Sequence, residues 1–302
     1  MKQFESLTTE RRNPASEELD SMSTLALVTL MNREDARVPR AIAKVLPAIA
    51  QAVDRIAQGL ARGGRLIYVG TGTSGRIGAL DSSECPPTFG TDPRLVQFLI
   101  AGGENALAHA TEASEDSAEL GRKDLLHKRI TKNDVVVGLA ASGRTPYTMA
   151  ALEAAREKGA ATIAIACNRN SDLGKLADVA IEPVVGPEVL TGSSRMKAGS
   201  AQKMICNMLS TGAMVRLGYV YSNLMVNLRM SNKKLQVRGR IILENLTGAT
   251  ADEASSALEK SGWNLPVALV MLKADVSKTE ATRRLKKSGG KVRPAIEGVA
   301  TR

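Results

Sequence analysis

Five short apolar runs separated by helical stretches constrain the fold of this chain more than any other feature. They are RLIYV (65–69), LVQFLIAGG (95–103), DVVVGLAAS (134–142), ATIAIACN (161–168) and DVAIEPVV (178–185). A continuous apolar run between helices is typical of a strand that is buried on both faces of a parallel sheet. The sequence therefore predicts an α/β fold built on a doubly wound, parallel five-stranded sheet.

Helical patterns flank the five runs. Apolar residues recur at steps of three and four from Ile42 to Leu60, which indicates one amphipathic helix, bent at Pro47. A second long helix is predicted from about Ser194 through Val220. Capping boxes, a further helix start and glycine stops indicate a small bundle of three short helices beyond residue 249; these signals lie at Thr250, Ser277, Asn264, Gly262 and Gly289-Gly290.

The patterns divide the chain into four predicted segments. An N-terminal helical segment covers residues 1–57, and the sheet domain covers 58–222. A helical connector follows over 223–249. The last segment, 250–302, is a small basic helical domain.

Composition and charge exclude several classes of protein. Hydrophobic residues make up 43% and charged residues 24%, as in globular chains, and no apolar run approaches the roughly 20 residues of a membrane span. The N-terminus lacks the apolar core of a secretory signal. Aromatic residues make up only 3%, which argues against base-stacking surfaces. We therefore expect no membrane partner.

The formal net charge of +10 is concentrated near the C-terminus. Residues 229–302 contain fifteen basic and seven acidic side chains, whereas the first 228 residues are nearly neutral. No helix-turn-helix pattern, zinc-ligand spacing or aromatic RNA-binding motif accompanies the basic segment. We interpret it as a solvated basic face and expect no nucleic-acid partner.

Three widely spaced cysteines, Cys85, Cys167 and Cys206, lie outside any CxxC pattern. This spacing favours reduced thiols and a cytoplasmic location.

Two loops rich in glycine and hydroxyl residues follow the first and third apolar runs. They are Gly70-Thr-Gly-Thr-Ser-Gly75 and Ala141-Ser-Gly-Arg-Thr-Pro146. Ligands of open α/β sheets bind beyond the carboxyl ends of the strands, and glycines and helix N-termini there suit an anion. The two loops together predict a site for one phosphate group, although each loop alone is also explained by ordinary turn glycines.

The first loop also has the GxGxxG spacing of a dinucleotide-binding turn. Such a site requires an acidic residue about 20 residues further on, at the end of the second strand. That strand ends at Gly102-Gly103, and Glu104 comes too late. A simple phosphate is therefore the favoured ligand.

Five motifs together closely resemble the N-acetylmuramic acid 6-phosphate etherase family. They are GTGTSGR (70–76), DSSECPPTFG (81–90), IAGGE (100–104), VVVGLAASGRTPY (135–147) and TGSSRMKAGSAQK (191–203). LTTERRNPAS near the N-terminus, NLMVN (223–227) and the C-terminal helices are similar too, so the resemblance covers nearly the whole chain. The paired loops alone are typical of the wider sugar isomerase (SIS) class, whereas ECPPT and GSSRMKAG are far more specific.

The resemblance implies a fold and an activity. The fold is a flavodoxin-like sheet of the SIS type with a small UBA-like C-terminal domain. The activity is that of a lyase that cleaves the D-lactyl ether of N-acetylmuramic acid 6-phosphate, in cell-wall amino-sugar catabolism. The implied steps are deprotonation of the open-chain sugar at C2, elimination and water addition, with no cofactor and no metal.

Two carboxyl groups match the catalytic positions of the family. Glu84 in SSECPPT corresponds to the acid, and Glu115 in ATEASEDS corresponds to the base. From the residues alone, Glu84 precedes a predicted Pro-Pro turn where nothing structural demands a carboxylate. Glu115 is also explained by a solvated acidic helix face, because four acidic residues fall at helical spacing; they are Glu112, Glu115, Asp116 and Glu119.

The predicted substrate-binding residues come from three motifs. Thr73, Ser74 and Gly75 belong to the first loop. Ser142, Gly143 and Thr145 belong to the second loop. Ser193, Ser194 and Lys197, with Arg195 as a further candidate, lie in GSSRMKAG, where solvated residues of an ordinary helix start are the alternative.

Two other functions stay open at this point. One is a non-catalytic sugar-phosphate sensor, like the related glucokinase regulatory protein, and the other is a sugar-phosphate isomerase. In each case the partner is a small sugar phosphate. A homodimer is also predicted, because the Met-rich helix around Lys203 to Met214 carries more apolar surface than one sheet face requires.

Overall fold

A five-stranded parallel sheet forms the centre of the protein. The computed structural model describes residues 7–109, 114–227, 230 and 233–298. The strands are β1 (Leu66–Gly70), β2 (Val96–Ile100), β3 (Val135–Leu139), β4 (Ala161–Ile165) and β5 (Val179–Ile181). Their order is β2-β1-β3-β4-β5, and every neighbouring pair is parallel. The predicted doubly wound α/β fold is confirmed.

Eight helices are described from Thr24 to Leu217. They are α1 (Thr24–Asp35), α2 (Val38–Ala43), α3 (Leu46–Ala61), α4 (Gly72–Phe89), α5 (Ala118–His127), α6 (Pro146–Glu157), α7 (Asp172–Leu176) and α8 (Lys197–Leu217). Short 3-10 turns lie at Pro14–Ser16, Leu19–Ser21 and Glu104–Leu107.

Strand β1 shows why its apolar run is continuous. Ile67 and Val69 pack into a cluster that includes Leu125 of α5 and Leu152 of α6. Tyr68 points to the opposite face, where its hydroxyl donates to Asp81 Oδ2 at 2.8 Å. Successive side chains of a strand alternate between faces, so both faces of β1 are covered and every residue of the strand is buried.

The predicted helix from Ile42 to Leu60 is two helices. Helix α2 ends at Ala43, and α3 begins at Leu46 with Pro47 in its first turn. A proline has no backbone N–H and fits the first turn of a helix, where that donor would have no partner. Pro47 therefore starts a helix here and does not bend one.

The predicted Pro-Pro turn at residues 86 and 87 is also absent from the described chain. Helix α4 continues through both prolines to Phe89, and the Gly90 N–H donates to Pro86 O at 2.9 Å. The prolines lie in the last turn of the helix. Glu84, which precedes them, is therefore an exposed helical residue.

Contacts divide the chain into two compact units. The first comprises Met1–Ser83 and Pro93–Gly212, and the second comprises Glu84–Asp92 and Ala213–Arg302. The N-terminal helices thus belong to the same unit as the sheet.

The second unit has its own apolar core. Helices α9 (Lys233–Thr247), α10 (Ala251–Ser261), α11 (Leu265–Ala274), α12 (Lys278–Lys287) and α13 (Val292–Glu297) supply it. Leu243, Leu258 and Leu269 are among its buried side chains. The three predicted C-terminal helices are present, and α13 is a fourth that the sequence did not predict. Within the described ranges, no helix is both long enough and apolar enough to cross a bilayer.

Candidate active site

A cavity of about 540 Å³ lies at the carboxyl ends of β1 and β3. These strands are neighbours, and the chain leaves β1 toward β2 on one side and β3 on the other, which is where ligands bind in open α/β sheets. Both hydroxyl-rich loops contribute to the cavity, as does the loop before α8. The lining residues are Glu10, Thr71, Gly72, Thr73, Ser74, Arg76, Ala106, Glu115, Ala140, Ala141, Ser142, Thr145, Gly192 and Ser194.

Of the two carboxyl groups that match the family's catalytic positions, Glu115 lines this cavity and Glu84 does not. Its backbone carbonyl accepts a hydrogen bond from Tyr147 N at 3.2 Å, and its side chain is half-buried. Helix α5 begins only at Ala118, capped by the Ser117 hydroxyl, so Glu115 lies in the preceding turn. The interpretation of Glu115 as part of a solvated helix face is therefore wrong; Glu112 of that set lies outside the described residues.

Gly72 gives Glu115 the space that its carboxylate occupies. The φ angle of Gly72 is +47°, and a Cβ built there would lie 3.1 Å from Glu115 Oε1. Only glycine adopts this left-handed conformation readily and leaves that space open. The first glycine loop thus positions a carboxylate as well as backbone N–H groups.

The second loop offers hydroxyl groups to the cavity. Ser142 Oγ accepts a hydrogen bond from Arg144 N at 3.3 Å. That bond does not use the hydroxyl hydrogen of Ser142. Thr145 is the N-cap of α6, yet its side chain makes no capping bond. The N-terminus of a 12-residue helix carries a partial positive charge at this point. These features suit an anionic oxygen such as that of a phosphate.

Ser74 of the first loop is held by a buried glutamine. Its hydroxyl donates to Gln202 Oε1 at 2.9 Å. Gln202 is buried, and its Nε2 has no hydrogen-bond partner in the described part of the chain. Rotating this amide by half a turn would let Nε2 donate to Ser74 Oγ. The Ser74 hydroxyl would then be free to donate to a ligand.

Two charged residues that the sequence motifs did not single out also line the cavity. Arg76 fixes the segment that leads toward Glu115, because its guanidinium donates to Ala106 O at 3.0 Å and to His109 O at 3.0 Å. Glu10 comes from the N-terminal segment. Arg76 is the last residue of the GTGTSGR motif, so the motif could have predicted its place at the cavity. No local sequence pattern predicts that Glu10 lies there.

Several predicted binding residues are not among those that line the cavity. Gly75 lies in the first turn of α4, where its N–H donates to Thr71 O. Gly143 has a φ of +74°, and a Cβ there would lie 2.4 Å from Ser171 Cβ, so this glycine permits close packing. Ser193 is in the turn before α8, and its neighbour Ser194 does line the cavity.

Lys197 has a different environment from the one predicted. Its side chain is 1% exposed, and Nζ lies 2.7 Å from Glu34 Oε2 and 2.6 Å from Pro187 O. Burial alone would raise the pKa of Glu34, but hydrogen bonds from Lys197 and Asn13 and the charges of Lys197 and Arg37 lower it. The ammonium group is thus already paired with a carboxylate.

A second buried carboxylate occupies the N-terminus of α8. Glu188 accepts from Lys197 N at 3.0 Å and from Ala198 N at 2.9 Å. Burial raises the pKa of Glu188, although these two N–H groups favour its charged form. Because Glu188 already takes these donors, this helix start does not offer them to a substrate.

Glu84 is exposed on helix α4 and is not among the described residues that line the cavity.

The cysteines are packing residues. Cys85, Cys167 and Cys206 are buried and not in disulfides, and burial raises the pKa of Cys167 to about 12. A thiol protonated at neutral pH is a poor nucleophile. Among the described residues, no cluster of His, Cys, Asp and Glu side chains is arranged to hold a metal ion.

Two family models match the sheet-containing part of the chain. The glucokinase regulatory protein N-terminal SIS domain matches residues 48–156, and the SIS domain matches residues 111–212. Among solved structures, a phosphoheptose isomerase from Francisella tularensis is similar, with a TM-score of 0.52 and 19% identity, over 64% of this chain and 98% of that one. At that identity the likeness shows the fold alone.

Curated relatives match nearly the full length. An N-acetylmuramic acid 6-phosphate etherase from Serratia proteamaculans is 54% identical over 290 residues, 96% of this chain and 98% of the relative. One from Caldanaerobacter subterraneus subsp. tengcongensis is 50% identical over 294 residues, 97% of this chain and 96% of the relative. The chain belongs to the N-acetylmuramic acid 6-phosphate etherase family.

Proposed function

We propose that this chain is a carbon-oxygen lyase that cleaves the D-lactyl ether of N-acetylmuramic acid 6-phosphate in cell-wall amino-sugar catabolism. The products are N-acetylglucosamine 6-phosphate and D-lactate. The observation that carries this proposal is a single cavity that combines the hydroxyls of two phosphate-type loops with the carboxylate of Glu115. A sensor of sugar phosphates would need the hydroxyls but no carboxylate.

The proposed reaction starts from the open-chain sugar, whose C1 aldehyde makes the C2 proton acidic. Glu115 takes that proton as a general base, and the bond between C3 and the ether oxygen breaks. Glu84 donates a proton to the departing lactate oxygen. Water then adds across the C2–C3 double bond: its oxygen bonds to C3, Glu84 takes its proton, and Glu115 returns a proton to C2.

The phosphate is proposed to lie between the two loops. Thr73, Ser74, Ser142 and Thr145 would donate to its oxygens, assisted by the N-terminus of α6. Ser194 is proposed to contact the substrate from the loop before α8. Lys197 is left out of this binding set because it is buried against Glu34.

A homodimer is part of the proposal, with Glu84 of a second copy completing the site. On α4, Leu80 is 48% exposed and lies one turn from exposed Glu84, so both belong to the same face. On α1, Leu25 is 76% exposed and Val28 is 49% exposed. These three apolar side chains are proposed to face the second chain.

We also propose a cytoplasmic location. None of the three cysteines is in a disulfide. Reduced cysteines are typical of a reducing compartment.

Incubation of the pure protein with N-acetylmuramic acid 6-phosphate, followed by a D-lactate assay, tests the activity. D-lactate should appear, and the unphosphorylated sugar should react poorly because it lacks the anchored phosphate. Conversion of a sugar phosphate from aldose to ketose without lactate would indicate an isomerase. No lactate after hours at high protein concentration would overturn the proposal.

Proton exchange in D2O separates the roles of the two carboxyl groups. Glu115→Gln should stop exchange at C2, because no base remains. Glu84→Gln should retain exchange and lose D-lactate release by roughly 100-fold to 10,000-fold, the usual contribution of a general acid. Loss of exchange in Glu84→Gln with retention in Glu115→Gln would show that the two roles are reversed.

A further inference from the structure

A second cavity, of about 620 Å³, lies within the first unit beyond the carboxyl ends of β4 and β5. The loop after β4 forms one wall, and the connection between α2 and α3 supplies another. Four cationic side chains and two carboxylates line it: Lys44, Arg144, Arg169, Lys175, Asp172 and Glu182. The proposed reaction uses none of these six side chains.

Both carboxylates of this cavity already have partners. Glu182 accepts from Asn170 N at 2.8 Å, from Ser171 N at 2.9 Å and from Ser171 Oγ at 2.8 Å. Asp172 is paired with Lys175 Nζ at 2.8 Å and with Arg144 Nε at 3.3 Å. Asp172 is therefore paired with cations, and Glu182 is held by three neutral hydrogen-bond donors.

Two cations remain without a carboxylate. Lys44 and Arg169 are exposed, and neither makes an ion pair or side-chain hydrogen bond with the described residues. Lys44 directly follows α2, and Arg169 follows Asn168 in the loop after β4. Two unpaired cations that line one cavity create a positive field suited to an anion.

The loop that carries Arg169 is fixed before any ligand binds. Asn168 is buried; its Oδ1 accepts from Thr8 N at 2.7 Å, and its Nδ2 donates to Ser142 O at 3.2 Å. These bonds fix the backbone next to Arg169. The Arg169 side chain therefore extends from a fixed point at the edge of the cavity.

We propose that this cavity is a second anion site, which binds a small molecule carrying a phosphate group. Its four cations and two carboxylates leave two positive charges, which match a phosphate monoester that is close to doubly charged at neutral pH. A volume of about 620 Å³ is within the range of small-molecule sites. Arg144 lies between Ser142 and Thr145 in the chain, so one loop serves both cavities.

Thermal unfolding with inorganic phosphate tests the site, with sodium chloride at the same ionic strength as reference. A ligand that binds only the folded state raises the melting temperature. In a Ser142→Ala/Thr145→Ala background, which weakens the first cavity, phosphate should still raise the melting temperature. Adding Lys44→Gln/Arg169→Gln should abolish that rise, because these changes keep much of the side-chain length and remove both charges.

Lys286→Gln/Lys287→Gln in the same background is the matched control, because it removes two exposed charges from α12. It should leave the phosphate response unchanged. Glucose 6-phosphate serves as a second probe: a rise with both ligands assigns a sugar phosphate, and a rise with inorganic phosphate alone assigns the free ion.

A phosphate response that survives Lys44→Gln/Arg169→Gln would overturn the proposal. So would the absence of any response in the Ser142→Ala/Thr145→Ala background. Neither outcome depends on D-lactate release, so failure of the second site and failure of the proposed reaction are distinguishable.

Discussion

Among single residues, Lys197 and Glu34 form a buried ion pair that stabilises the fold and is not part of the proposed reaction. Both side chains are almost completely buried, and they lie 163 positions apart in the chain. Local sequence cannot reveal a partner at that distance, so GSSRMKAG predicted either substrate contacts or solvated side chains at a helix start, and Lys197 is neither. The ion pair ties the start of α8 to α1, and removal of one partner would leave a buried charge without compensation.

Lys197→Met should lower the free energy of unfolding by about 3 to 5 kcal/mol, the usual cost of breaking a buried ion pair. Lys175→Met is the control, since Lys175 is 63% exposed in its pair with Asp172 and should cost at most about 1 kcal/mol. Urea unfolding followed by circular dichroism measures both. An unchanged stability with weaker substrate binding would instead assign Lys197 to the substrate.

The same pair predicts a dependence of stability on pH. The folded pKa of Glu34 lies below its ordinary value of 4.5, so its contribution is fully present above that value and is lost as pH falls through the folded pKa. The difference in unfolding free energy between wild type and Glu34→Gln should therefore shrink as pH drops from about 6 to about 3. A difference that stays constant over this range would show that the Glu34 charge contributes nothing.

Gly72→Ala should reduce kcat/KM, because the new Cβ would lie 3.1 Å from Glu115 Oε1 and shift that carboxylate by a few tenths of an ångström. Gly63→Ala is a matched control: Gly63 has a φ of +80°, and a Cβ added there would meet no atom within 4 Å, so this variant carries the backbone strain alone. Steady-state D-lactate release measures both variants. Equal activities would show that the contact with Glu115 is unimportant.

At the scale of elements, the strands were predictable and the helix boundaries were less so. Strands β1 and β3 are buried along their whole length because both faces of the sheet are covered there, and this burial leaves a continuous apolar signal in the sequence. Two predictions based on proline were wrong: Pro47 begins a helix where a bend was predicted, and Pro86-Pro87 lie inside a helix where a turn was predicted. The effect of a proline depends on its position in the helix. The turn that holds Glu115 was missed because acidic residues at helical spacing masked it.

Helix α10 offers a test of a capping box that was predicted from sequence and is present in the structure. Glu253 N donates to Thr250 Oγ1 at 3.3 Å, and Glu253 Oε2 accepts from Thr250 N at 2.8 Å. Thr250→Ala should destabilise the second unit by about 0.5 to 2 kcal/mol. Ser255→Ala, which removes a hydroxyl from the middle of the same helix, should have little effect.

Trp263 makes this measurement specific to the second unit. It is the only tryptophan and directly follows Gly262, the C-cap of α10. Its fluorescence during urea unfolding therefore reports on this unit. A midpoint that moves equally in Thr250→Ala and Ser255→Ala would contradict the role of the cap.

At the scale of the whole molecule, the sequence predicted two catalytic carboxyl groups, and only Glu115 lines the cavity. Glu84 points outward from α4, close to exposed Leu80. No local pattern indicates which copy of a chain supplies a residue, because that depends on assembly. An acid delivered by a second subunit requires a symmetric dimer with two equivalent sites.

Mixing two inactive variants tests this arrangement. If Glu84 comes from the partner, a dimer of one Glu84→Gln chain and one Glu115→Gln chain contains one site with both carboxyl groups and one site with neither. After subunit exchange in equal amounts, about half of the dimers are mixed, so about a quarter of the wild-type D-lactate release should return. Neither variant alone should recover activity on the same treatment. If both groups act within one chain, every site in the mixture lacks one of them. An inactive mixture, with subunit exchange verified by mass spectrometry, would therefore assign Glu84 to the same subunit as Glu115.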